Sequence, residues 1–138
     1  MDLYAQHILE HFRHPRGKKR LTSADITHEE NNPACGDRLT VDLAIENGSV
    51  RIGWGGEGCA ISQAAMSMLA EDFAGKPMVQ LQALTPKDLL DRLGVPIGPR
   101  RMKCAMLCLH TVRNALNLLR KEPPQSWAET LESSGNGG

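Results

Sequence analysis

The spacing of apolar residues changes several times along this chain, and each change marks an element. Leu3, His7, Ile8, His11 and Phe12 recur at helical spacing until Pro15 and Gly17, predicting a short N-terminal helix that docks through one face. The polar stretch that follows, to about Glu30, predicts irregular chain. From Leu39 the period becomes two, with Leu39, Val41, Leu43 and Ile45 alternating with Thr40, Asp42, Ala44 and Glu46. Asn47-Gly48 supplies a two-residue hairpin turn, which sets Ile45 opposite Val50, Leu43 opposite Ile52 and Val41 opposite Trp54. All six side chains then share one sheet face as core, and the other face is expected to be wet.

The run Gly55-Gly56-Glu57-Gly58 reads as flexible. Residues from about Ala60 to Phe73 form a predicted helix with Ile61, Ala65, Met68 and Leu69 on one side. Thr85-Pro86-Lys87-Asp88 has the form of an N-cap, an N1 proline and an acidic first turn, opening a short helix that ends near Gly94. Pro96, Gly98 and Pro99 interrupt the chain. A last helix from about Arg100 to Arg120 buries Ala105, Cys108, Leu109, Val112, Leu116 and Leu119 before Pro123-Pro124 stops it. The segment 121–138, ending Ser-Ser-Gly-Asn-Gly-Gly, is expected to be a flexible tail, with local docking of Trp127 and Leu131 as the alternative.

At 138 residues the chain suggests one domain and a single modest core. Sixteen Lys and Arg balance sixteen Asp and Glu, which makes nucleic acid and anionic membrane poor partners. The first residues interleave apolar and charged positions, unlike a secretory signal, and no run is long enough to span a bilayer, so the expected compartment is the cytosol. In that reducing setting, separated cysteines are metal ligands, reactive thiols or small core residues more often than disulfides.

Cys35 lies in the turn Asn32-Pro33-Ala34-Cys35-Gly36-Asp37, Cys59 just before one helix and Cys104 in the first turn of another. The positive ends of those helices favour thiolate at Cys59 and Cys104. Cys35, Asp37, Cys59 and Cys104 would complete a four-coordinate zinc site with no open position, which disfavours a zinc hydrolase. No CxxC pair is present, so spacing alone leaves three unrelated core cysteines, and a turn-stabilising Asp37, as open readings. Cys108 follows Cys104 by one helical turn but falls on the apolar stripe, and is read as core. His7 and His11 read as helix-face residues, and His14, His28 and His110 lack a ligand-like context. Lys103 and Arg101 beside Cys104 are either solvated charges or electrostatic support for an anionic site. The glycine run lacks the Lys-Ser/Thr ending of a phosphate loop, so nucleotide binding is not expected.

Four ordered motifs together resemble the IscU/SufU/NifU N-terminal-type iron–sulfur assembly family: Tyr4-x3-Ile8-Leu9-x-His11-Phe12-x2-Pro15-Arg16, Asn32-Pro33-Ala34-Cys35-Gly36-Asp37, Gly56-Glu57-Gly58-Cys59-Ala60-Ile61-Ser62 and Arg101-Met102-Lys103-Cys104-Ala105. The resemblance implies an α+β fold in which a small three-stranded antiparallel sheet carries helices packed on one face and a metal site at one end. The assembly domain would span residues 1–120. By residue match, Cys35, Asp37, Cys59 and Cys104 are the implied ligands of zinc or iron and of a transient iron–sulfur cluster. Cys35 and Cys104 are the implied persulfide acceptors, with Lys103 in electrostatic support. The implied partners are a pyridoxal-phosphate cysteine desulfurase and recipient apoproteins, for a scaffold rather than an enzyme. The alternative is a zinc-dependent sulfurtransferase that stimulates the desulfurase without holding a stable cluster.

The two branches of the family pull apart here. Lys103 before the third cysteine is SufU-like, where IscU-type members have His. The 45 positions from Cys59 to Cys104 are IscU-like, without the SufU-type insertion. Val95-Pro96-Ile97-Gly98-Pro99-Arg100-Arg101 replaces the chaperone-binding segment of IscU-type scaffolds, so that chaperone is not an expected partner.

Overall fold

The computed structural model describes residues 3–34 and 36–132, with side chains from Gln6 onward. Helix α1 (Leu3–Arg13) is followed by strands β1 (Ile26–Asn32), β2 (Asp37–Glu46) and β3 (Ser49–Glu57). Helices α2 (Ala60–Phe73), α3 (Met78–Gln82) and α4 (Pro86–Leu93) come next, then a 3-10 turn at Pro99–Arg101, α5 (Met102–Leu119) and α6 (Trp127–Glu132). The strands form one antiparallel sheet in the order β1-β2-β3. This is the α+β architecture expected from the resemblance.

The hairpin adopts the predicted register, pairing Ile45 with Val50, Leu43 with Ile52 and Val41 with Trp54. Asn47 and Gly48 both have positive φ, at 53° and 81°, as a type I′ turn requires. Val41, Leu43, Val50 and Trp54 are completely buried, and Ile45 packs partly buried at the rim. The indole N–H of Trp54 donates to the Arg16 carbonyl at 2.8 Å, so the largest core side chain leaves no polar atom unpaired. Helix α2 has the predicted limits, and its small residues Ala64, Ala65, Ser67 and Ala70 allow it to lie close between α1 and α5. At α4 the predicted cap is a full capping box, in which the Thr85 hydroxyl accepts from Asp88 N–H at 3.0 Å and the Asp88 carboxylate accepts from Thr85 N–H at 3.0 Å. The helix ends in a left-handed Gly94.

The structure corrects four readings. The polar stretch before Glu30 contains β1, whose inward positions Ile26, His28, Glu30 and Asn32 are mostly polar and so lack the apolar alternation that marks a strand. Hydrogen bonds replace hydrophobic contact there: Asn114 Nδ2 donates to Glu30 at 3.0 Å and His28 bonds Glu30 at 2.6 Å. The glycine run Gly55 to Glu57 is not a loose loop but the end of β3, laddered to Arg38, Leu39 and Thr40. The second sheet face is not simply wet, because residues 19–21 cross it where Gly53 offers no side chain. A Cβ at Gly53 would meet the Lys19 carbonyl and come within 2.8 Å of Leu21. Finally, α5 buries more than a stripe, since every residue from Cys104 to Val112 is buried between the sheet and the other helices. Leu119 is only partly buried.

Helix α6 packs on α5. Trp127 stacks on His110 with ring centroids 4.1 Å apart, the His110 imidazole bonds Thr130 Oγ1 at 2.7 Å, and Asn114 Oδ1 accepts from Gln125 N–H at 2.7 Å. The closing Ser-Ser-Gly-Asn-Gly-Gly lies outside the described residues. No described helix is long and apolar enough to cross a membrane.

Asp42, 1% exposed on the second sheet face, accepts from the Arg20 guanidinium at 2.7 Å and 3.0 Å, from Leu21 N–H at 3.0 Å and from Thr27 Oγ1 at 2.6 Å. Burial raises its pKa, but these donors outweigh burial and hold the carboxyl below its ordinary value. A depressed folded pKa contributes stability above the unfolded value, about 3.9, that is lost as pH falls through the folded value. Asp42→Asn is therefore expected to cost about 1–3 kcal/mol near neutrality. It should also flatten the acid limb of stability below about pH 4. Urea unfolding from pH 2 to pH 7 measures both effects, and an unchanged acid limb would contradict this role.

Candidate metal centre

The sheet end where β2 begins and β3 stops carries the site. Asp37 is the first residue of β2 and is 1% exposed, and Cys59 is the N-cap of α2. The Asp37 carboxylate accepts from Cys59 N–H at 2.8 Å through Oδ1 and from Cys59 Sγ–H at 3.4 Å through Oδ2. A carboxylate so placed satisfies an orphan N–H and meets the positive end of α2.

Gly58 makes this possible. Its φ is 148°, and a Cβ there would strike Asp37 Oδ1 and lie 2.7 Å from Cγ. The glycine that looked like flexibility in the sequence is thus a tight passage of backbone against the carboxylate.

Cys104, in the first turn of α5 and 5% exposed, faces the same point. The donor atoms of Asp37, Cys59 and Cys104 lie within 4.8 Å of one another. Beside them is an open cleft of about 850 Å³ lined by Asn32, Ala34, Cys59, Arg100, Arg101 and Cys104. Cys59 is solvent-exposed, so an incoming reactant can reach it, while Asp37 and Cys104 sit behind.

Cys35 lies outside the described residues. Lys103 does not line the cleft: its ammonium stands over the Trp127 ring, 5.6 Å from the centroid. Arg100 and Arg101 are the cations at the opening. Cys108 is completely buried in the core cluster, its Sγ 3.8 Å from the Ala105 carbonyl, and burial pushes its thiol up to about 12. His11 and His110 are buried and bonded to Ser67 and Thr130, and neither lines the cleft. Sequence reasoning left Arg100 and Asn32 without a place in the site. For Asn32, its place at the head of the Asn32-Pro33-Ala34-Cys35-Gly36-Asp37 motif was the available signal.

The donor set can be tested against a metal. Tetrahedral thiolate ligands of zinc, bonded at about 2.3 Å, stand about 3.8 Å apart. A contraction of about 1 Å from the observed spread reaches that geometry, and two sulfurs with one carboxylate suit zinc or iron.

Fold and site together define a small α+β protein with a cluster of two cysteines and one carboxylate at one end of a three-stranded sheet. Residues 3–124 match the NifU-like N terminal domain, and the chain belongs to that family. It is 34% identical over 116 residues, 82% of this chain and 73% of the other, to an iron–sulfur cluster assembly scaffold protein IscU of Aquifex aeolicus. It is also 32% identical over 123 residues, 76% of this chain and 83% of the other, to the zinc-dependent sulfurtransferase SufU of Bacillus subtilis. A similar fold is seen in the N-terminal NifU-like protein of Brucella abortus, with a TM-score of 0.66 at 19% identity over 88% of this chain and 96% of that one.

Two outcomes are expected from this geometry. Gly58→Ala should cost about 1–3 kcal/mol through backbone strain and displacement of Asp37. Gly98→Ala, whose Cβ would meet nothing within 4 Å, should change little. Denaturant unfolding of the two variants gives the comparison, and equal stability would remove Gly58 from this account. With iodoacetamide at pH 8, Cys59 in the native protein should be modified while Cys108 stays unmodified, as read by peptide mass spectrometry. Early labelling of Cys108 would take it out of the core.

Proposed function

We propose that this protein accepts sulfane sulfur from a cysteine desulfurase and builds or relays an iron–sulfur cluster for recipient apoproteins, with Cys35, Asp37, Cys59 and Cys104 as the ligands. The observation that carries this reading is the convergence of the Asp37, Cys59 and Cys104 donor atoms within 4.8 Å beside an open cleft. Similarity to IscU-type scaffolds supports it, and Cys35, two residues before Asp37 in the sequence, is the fourth donor in this proposal.

The sulfur step balances with this chain's own groups. A thiolate, at Cys35 or Cys104, attacks the terminal sulfur of the partner's persulfide. The partner's S–S bond breaks, its thiolate leaves with the electron pair, and the chain holds Cys–S–S⁻. Turning that sulfane sulfur into sulfide takes two electrons from an external reductant. A resident zinc or iron ion would supply positive charge that offsets the thiolates. Arg100 and Arg101 add fixed positive charge at the opening, where anionic persulfide must approach. The reaction is assigned to the cytosol, where thiols stay reduced.

The rival is a zinc-dependent sulfurtransferase, favoured by Lys103 before Cys104 and by similarity to SufU. Asp37 separates the two. A carboxylate is a harder ligand than a thiolate and loosens a soft cluster, so it suits a site that must release its product.

Asp37→Ala is expected to keep the fold at a cost of about 1–2 kcal/mol from the lost cap. It should also slow cluster transfer or alter cluster stability. Anaerobic reconstitution with iron, cysteine and a desulfurase, followed by transfer to an apo-ferredoxin, measures this. If wild-type protein never develops cluster absorbance while its zinc form accelerates the desulfurase, the sulfurtransferase reading replaces the scaffold.

A further inference from the structure

Asn32 ends β1 and is 2% exposed, paired across the ladder with Asp37. A buried amide is costly unless its groups are bonded, so a polar residue at this inward position calls for a reason. The surroundings supply one. The Asn32 backbone carbonyl accepts from Gly36 N–H at 2.9 Å, and its side-chain Oδ1 accepts from Ala34 N–H at 3.3 Å. Because a backbone N–H is donor-only, the second bond fixes which end of the amide carries oxygen. The NH₂ end then faces α5, where Nδ2 lies 3.9 Å from Cys104 Sγ.

We propose that Asn32 is a positioning residue for the metal centre, its side-chain N–H donating to the Cys104 sulfur. The inference rests on the ligand set proposed above. Cys104 shares its corner with Cys59 and the Asp37 carboxylate, so negative charge accumulates there. An N–H directed at the sulfur offsets part of that charge, fixes the orientation of the Cys104 side chain and withdraws electron density from the sulfur lone pairs. Cys59 has a different arrangement, with its Sγ against the Asp37 carboxylate. The two sulfurs are therefore inequivalent: Cys104 is buried and N–H-bonded, and Cys59 is exposed and carboxylate-bonded. Loss of the Asn32 donor raises the energy of the Cys104 lone pairs, which moves sulfur-to-metal charge transfer to lower energy.

The test uses Co²⁺ alone as the probe, titrated anaerobically into the full metal-free chain. Wild type is expected to give a near-ultraviolet sulfur-to-cobalt charge-transfer band. Asn32→Asp keeps an acceptor for Ala34 N–H and loses the donor, and Asn32→Ala loses both without adding charge. Both bands should move to longer wavelength, and Co²⁺ affinity should fall about 10–100-fold, the usual effect of removing a group that orients a ligand. Far-UV circular dichroism identifies the folded variants, and the band of either one decides. A band at the wild-type position overturns the proposal even where affinity falls, because a merely structural Asn32 lowers affinity without altering sulfur electronics. A wild-type protein with no sulfur charge-transfer band would instead fail the ligand set itself, which separates the two outcomes.

Discussion

The centre depends on one buried carboxylate. Asp37 is taken out of water at the first residue of β2, and its compensation is the N-terminus of α2, delivered as Cys59 N–H at 2.8 Å. That contact joins the sheet to the helix that follows it and fixes where the Cys59 side chain starts. It also demands that the chain pass the carboxylate without a Cβ, which is why Gly58 stands there. The register of β2 against β3 brings the two ends together, pairing Arg38 with Glu57 beside the site. The hydrophobic hairpin therefore does more than fill a core: a one-residue slip would move Asp37 away from Cys59.

The other half of the centre comes from α5, and a polar seam holds it against β1. Glu30 bonds Asn114, Asn32 reaches Cys104, and His110 carries α6 through Thr130 and Trp127. Such groups stabilise little in net terms but must all be paired, so they specify one seating of the helix on the strand. The same seam leaves Lys103 over Trp127, facing away from the cleft, while Arg100 and Arg101 face it. Charge at the opening thus comes from the 3-10 turn that precedes the helix, not from the residue adjoining Cys104 in sequence.

Similarity to both IscU scaffolds and a SufU sulfurtransferase is chemically coherent. In the function proposed above, either activity would use sulfurs held together and open to a persulfide donor. A buried Cys104 and an exposed Cys59 give the two sulfurs unequal access, and Asp37 sets a buried carboxylate beside them.

By itself the sequence determined the hairpin register, the limits of α2, the capping box of α4 and the core position of Cys108. These follow from local periodicity and from turn and cap chemistry, which act over a few residues. It also named Asp37, Cys59 and Cys104 through their motifs, although their spacings of 22 and 45 positions carry no geometric signal. Tertiary structure alone decided that β1 is a strand, because its inward His28, Glu30 and Asn32 are satisfied by partners more than 70 residues away on α5 or by one another. It alone decided that the glycine run is ordered strand, that Asp42 is buried beneath Arg20, and that Lys103 turns toward Trp127. In each case a polar or glycine residue found its partner through long-range packing, and no local pattern encodes a hydrogen bond whose other half lies elsewhere in the chain.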